Sequence, residues 1–132
     1  MYKNILFASF MFLFFTGCAM KAPIETIDTN IEKISNNLSF RQIERSIYKA
    51  ATELGWRLYK NEDGYIVGHY YTPRYTASID IKYTQDSYSI SYNQSENLKH
   101  DGEQILSLYN TWIKELDKKI QDIIIQTANS SK

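Results

Sequence analysis

Five hydrophobic stretches follow one another along the chain, and the period of each points to an element. Ile5 to Phe15 is an eleven-residue apolar run whose one polar member is Ser9. Ile24, Ile27, Ile31, Ile34 and Leu38 then recur at spacings of three and four, a stripe two heptads long. From Phe40 the apolar positions keep a helical period, and from Trp56 they alternate as strands do. A second helical stripe begins at Ile105 and continues to Ile124.

The first clear helix is predicted over residues 40–54. Ser39 and Gln42 form the S-x-x-Q pattern of a capping box. Phe40, Ile43, Ile47, Ala50, Ala51 and Leu54 make one apolar face, and Gly55 sits where a left-handed C-terminal cap is wanted. Four strands follow: "WRLYK", "YIVGHYY", "RYTASIDIKY" and "SYSISY". Asn61 to Gly64, Thr72-Pro73 and Thr84 to Asp86 separate them as turns. Turns this short join antiparallel neighbours.

Asp101 with Gln104 resembles another capping box, so the last helix is expected to open there and run to about Gln126. Its stripe includes Ile105, Leu108, Tyr109, Trp112, Ile113, Leu116, Ile120, Ile123 and Ile124. Some 24 helical residues would span about 36 Å, longer than a strand of about 17–20 Å. The overhang must pack on the first helix, on the Ile-rich segment or on another chain.

The expected fold is α+β, in the order α-β-β-β-β-α. It is a two-layer sandwich of an antiparallel meander sheet with both helices on one face. The domain is placed at residues 39–126. Residues 127–132, "TANSSK", are expected to be disordered. Residues 18–38 are expected to be a flexible tether, because Thr26, Asp28, Thr29 and Asn30 are poor helix formers. A short helix that self-associates or docks on the domain is the second reading of the Ile stripe, although two heptads are marginal alone.

The opening run changes the picture of where the chain works. A run of eleven residues is too short for a bilayer-spanning helix, which needs about 20. They suit the core of a secretory signal, preceded here by a short segment carrying Lys3. Phe15-Thr16-Gly17-Cys18 follows, and it holds the only cysteine of the chain. This resembles the lipobox of bacterial lipoproteins, with Phe15 at a position most often held by Leu. The resemblance implies residues 1–17 as signal peptide, cleavage between Gly17 and Cys18, and a palmitate-type acyl anchor on Cys18. Several acyl chains hold a membrane firmly where one alone is marginal. Acylation would also leave the exported protein without a free thiol. Ala19, not Asp, follows the cysteine, and by the same resemblance this favours delivery to the outer membrane, facing the periplasm, over retention in the inner membrane.

Removing 17 of 132 residues leaves 115, enough for one domain. Fourteen Lys and Arg then face 15 Asp and Glu. No basic stripe marks a nucleic-acid binder, and no further run after residue 17 approaches membrane-spanning length.

Register offers a candidate binding surface. Pairing Tyr71 with Arg74 puts Ile66, Gly68 and Tyr70 on the core side. Tyr65, Val67, His69 and Tyr71 then lie on the outer face, with Arg74, Thr76, Ser78 and Asp80 beside them. A bulged turn at Glu62-Asp63-Gly64 turns Trp56 and Leu58 inward and Arg57 and Tyr59 outward. Tyr59, Tyr65, Val67, His69, Tyr71 and Arg74 are the candidate binding face, since exposed apolar patches and Tyr or Arg anchors mark interfaces. The competing explanation is that tyrosines stabilise strand pairing.

Catalytic patterns are thin. His69 and His100 have no second His or Cys at metal-ligand spacing, so no metal site is expected. His100-Asp101 reads as a loop and cap. No phosphate-binding Gly loop or nucleophile elbow is present.

"SYNQSENLKH" and "YNTWIKEL", with Gly55-Trp56, Tyr83, Tyr92 and Asn97-Leu98, resemble a group of small bacterial lipoproteins over about residues 40–120. That group brings no established activity. It implies an exported domain of this size and a bracing role for Asn97 before the last helix. The expected function is a membrane-anchored envelope lipoprotein with a non-catalytic binding or scaffold domain, no cofactor beyond the lipid, and an envelope protein or cell-wall polymer as partner. A small cell-wall hydrolase or hydrolase inhibitor is one alternative. A homo-oligomer built on the C-terminal helix is the other.

Overall fold

A capping box at Ser39 opens the helix that organises one layer. The Ser39 hydroxyl accepts from the Gln42 amide at 3.2 Å, and the Gln42 side chain accepts from the Ser39 amide at 2.9 Å. The computed structural model describes residues 20–131, so residues 1–17, expected to be a signal peptide, and Cys18 lie outside the described residues. In chain order the elements are β1 (Lys21–Pro23), β2 (Ile27–Asn30), α1 (Glu32–Ser35), α2 (Phe40–Glu53), β3 (Arg57–Glu62), β4 (Tyr65–Tyr71), β5 (Thr76–Tyr83), β6 (Ser87–Glu96), β7 (Gln104–Leu106) and α3 (Ser107–Ser130).

The fold is an α+β sandwich. Its main sheet has five antiparallel strands in the order β2-β6-β5-β4-β3, of which β3 to β6 are the expected meander. Helices α2 and α3 cover one face. Ile66, Ile79, Ile81 and Ile90 from the sheet are fully buried with Ile43, Ile47, Ile113, Leu116 and Ile120 from the helices. Each such side chain contributes about 1.5–3 kcal/mol on leaving water. Aromatic contacts join the layers: Phe40 stacks on Tyr83 with centroids 5.3 Å apart, and Tyr70 meets Trp112 edge-on at 4.9 Å. On β4, Gly68 leaves room on the core face for the side chains of Leu58 on β3 and Ile79 on β5. A Cβ there would lie 3.1 Å from both Ile79 Cγ1 and Leu58 Cδ2.

The tether expectation is corrected for residues 20–38. β2 is an edge strand of the main sheet, with Asp28 opposite Ser89 and Thr29 opposite Tyr88. β1 pairs with β7 in a second, two-stranded sheet. Ile31 and Leu38 are core residues. The physical reason is that this segment covers the flank of α3. The Thr29 hydroxyl donates to Asp117 Oδ1 at 2.7 Å, and Asn110 bonds both the Pro23 carbonyl and the Glu25 amide. A four-residue helix, α1, holds part of the Ile stripe, and the rest is strand or loop.

Two boundaries also differ from expectation. Asp101 does not open the last helix. Its carboxylate accepts from the amides of Glu103 and Gln104, shaping a turn before β7, and α3 starts at Ser107. At the other end, residues 127–130 are helical and not a disordered tail. Ala128 is buried, and the Thr127 hydroxyl lies 3.4 Å from that of Ser46 on α2. The overhang of α3 is thus covered within the chain, by α2, α1 and the N-terminal strands.

Candidate functional site

The face of the main sheet opposite the helices carries the candidate residues, and alternation along the strands puts them there. Tyr71 lies opposite Thr76, two residues along from the expected partner Arg74. A shift of two preserves the faces. Ile66, Gly68 and Tyr70 therefore still turn inward, and Tyr65, Val67, His69 and Tyr71 turn outward. The bulge between Lys60 and Glu62 leaves Arg57 opposite His69 and Tyr59 opposite Val67, also on the outer face. At the β3–β4 turn Gly64 has φ +83°, and a Cβ there would lie 3.0 Å from the Tyr83 carbonyl oxygen. That position favours glycine and sets the hairpin.

Tyr59, His69, Tyr71 and Arg57 form one cluster. The Tyr59 and His69 rings meet edge-on with centroids 5.4 Å apart, and His69 stacks beside Tyr71 at 6.1 Å. The Arg57 guanidinium lies over the Tyr71 ring, 5.4 Å from its centroid. Tyr59 is 56 % and Tyr71 54 % exposed, the most open of the large hydrophobic side chains after Met20 among the described residues. Val67 is half-buried between Tyr59 and Asp80.

Tyr65 is held apart from that cluster. Its hydroxyl donates to Asp80 Oδ1 at 2.7 Å, and Lys82 lies over its ring. The bond to Asp80 raises the phenol above its ordinary value, with burial and the Asp80 charge acting the same way. Arg74 is not part of the face. It sits in the turn after β4, where its carbonyl accepts from Asn97 Nδ2 at 2.9 Å. Asn97 thereby braces the segment after β6. Arg57 supplies the cation that Arg74 was expected to bring. It was legible as an outward residue of β3, and its place beside Tyr71 depends on the cross-strand pairing.

Further along the same face lies an open depression of about 670 Å³. Asp28, Asn30, Asp63, Lys82, Ser87 and Ser89 line it. Its β2 wall was not legible in the sequence, since "IDTN" has a single apolar residue and alternates only in burial once paired with β6. A smaller groove of about 210 Å³ lies between α2 and α3, beside Arg45, Lys49 and Ile123. Neither depression is lined by His69 or His100.

The histidines have structural partners. His69 Nδ1 lies 2.6 Å from Ser78 Oγ, directly across the β4–β5 pair. Ser78 is 6 % exposed in the middle of a strand, which leaves little room for a substrate carbonyl at its hydroxyl. The His100 ring packs on Tyr92 with centroids 4.4 Å apart. Asp101 is committed to Lys21 at 2.7 Å, and that contact, with two backbone amides, holds its carboxyl well below the usual carboxylate range. His100-Asp101 is thus a braced loop. Among the described residues no group of three or more His, Cys, Asp or Glu could hold a metal ion, and no helix is long and apolar enough to cross a membrane.

Comparison with known proteins finds no matching family model, no matching curated protein and no matching solved structure.

Proposed function

We propose that the chain is an acyl-anchored lipoprotein of the bacterial cell envelope that binds a partner through the outer face of its main sheet. Cys18 carries the lipid, and the outer membrane, facing the periplasm, is the preferred location. The partner is another envelope protein or a cell-wall polymer. The observation that supports this reading is the uncovered cluster of Arg57, Tyr59, His69 and Tyr71. Half-exposed aromatic rings with an Arg at their edge are the usual anchors of interfaces. The exposed rings are not needed to complete the core, which lies on the opposite face. The homo-oligomer alternative has less to support it, since most of the α3 stripe is buried within the chain.

The test is a pull-down from detergent-solubilised envelopes. It compares the acylated protein with a Tyr59→Ser, Tyr65→Ser, Tyr71→Ser variant of verified fold. The expected result is a partner retained by the first and lost by the second. Equal retention by both would move binding off this face.

A further inference from the structure

The corrected N-terminal segment bears on how the domain meets the membrane. If residues 18–38 were a free tether, the domain could swing in any direction. Instead the chain is built into the fold from Met20 onward. The Met20 carbonyl accepts from the Ser107 amide at 2.8 Å, and Lys21 to Pro23 pair with β7. Only Ala19 separates Met20 from Cys18. At about 3.3–3.6 Å per residue, the two Cα atoms lie within about 7 Å of each other. A lipid on Cys18 therefore has no slack.

We propose that one end of the domain rests directly on the lipid bilayer in a fixed orientation, with the N-terminal end of α3 down. This inference rests on Cys18 being the acylated residue. The chemistry of that end fits a lipid surface. Met20 is 73 % exposed and Leu108 37 %, and together they put apolar side chains on both strands of chain that meet at the Met20–Ser107 hydrogen bond. Lys99 is exposed on the loop before β7, and that loop is tied to the same place by the Leu106 amide donating to the Leu98 carbonyl. Arg74 is exposed on the turn that Asn97 bridges to this loop. Lys21 is paired with Asp101 there and Glu103 is also exposed, so the two apolar side chains carry the contact with the acyl boundary and Lys99 and Arg74 meet the anionic phosphates. Because the anchor holds the surface in place, even a weak contact is kept closed by its high effective concentration.

The orientation has a geometric consequence. α3 starts at the bilayer, and Ile125 stands about 26 Å further along its axis than Leu108. The turn after Tyr71 packs against Trp112 through Tyr70 and Tyr75, so the cluster of Arg57, His69 and Tyr71 lies toward the membrane end of the sheet. The depression beside Asp63 and Asn30 lies toward the distal end.

The test uses full-length acylated protein in vesicles of phosphatidylethanolamine and phosphatidylglycerol that carry a nitroxide-labelled lipid. Leu108→Cys, Lys99→Cys and Ile125→Cys each receive a fluorophore, Cys18 being blocked by its lipid. The expected result is quenching severalfold stronger at positions 108 and 99 than at 125. The second membrane-end position guards against a local effect of replacing Leu108. Equal quenching at all three positions, with the acyl mass present on Cys18, would overturn the seating alone. A protein without that mass and absent from the membrane fraction would overturn the anchor reading and the seating together.

Discussion

Glu44 shows how single residues tie the two layers together. It projects from α2 to meet Arg41 at 3.0 Å and Lys60 of β3 at 3.3 Å, and it accepts from the Tyr83 hydroxyl of β5. Lys60 in turn reaches Asp63 at 2.6 Å. Burial penalises the Glu44 charge. The bonds from Tyr83, Lys60 and Arg41 outweigh that penalty and hold its carboxyl below the ordinary value of 4.5. Asp63 is lowered too, by its hydrogen bond and charge contact with Lys60 and by the Arg41 charge. A lowered carboxyl stabilises the fold fully above its unfolded value, and this contribution fades as pH falls through the folded value. Urea unfolding should therefore show Glu44→Gln less stable than the native chain at pH 7, with the gap narrowing toward pH 3. A gap independent of pH would assign Glu44 a packing role only. At this scale much was legible. The Ser39 cap, Gly64 and the outward tyrosines follow from local pattern, because alternation assigns faces even when the register moves by two. Arg74 was misplaced because it lies in a turn, where alternation no longer applies.

The elements that escaped sequence reading are short strands with distant partners. β2 finds β6 some sixty residues later, and β1 finds β7 after more than eighty. Nothing local announces either pairing. Ile24, Ile27, Ile31, Ile34 and Leu38 have helical spacing, yet the segment folds around the flank of α3, where Asp117 accepts from both Thr29 and Tyr88. The end of α3 escaped for the opposite reason. Thr127, Ala128 and Asn129 follow the last strong apolar pair, and packing on α2 overrides the modest local propensity of that stretch. Ile31→Ala separates the two views of the N-terminal segment. Ile31 is fully buried, so the substitution should cost about 2–5 kcal/mol in urea unfolding. A residue on a free tether would give no measurable change.

Among the described residues, the core lies between the helices and one sheet face, and nothing covers the other face. Its aromatic half and its polar depression are continuous across β3 to β6 and β2. With the anchor proposed at Cys18, such a face would be suited to holding a partner close to the membrane. The aromatic half was legible in the sequence, because alternation along β3 and β4 assigns it to the outer face. The polar half needed β2, and so it needed the long-range pairing. The most direct test places a photo-crosslinking amino acid at Tyr71 on the open face and, separately, at Lys118 on the exposed side of α3 in intact cells. A discrete adduct with an envelope protein or wall polymer from position 71, and none from position 118, is the predicted result. An adduct from position 118 alone, or from neither position, would contradict the account.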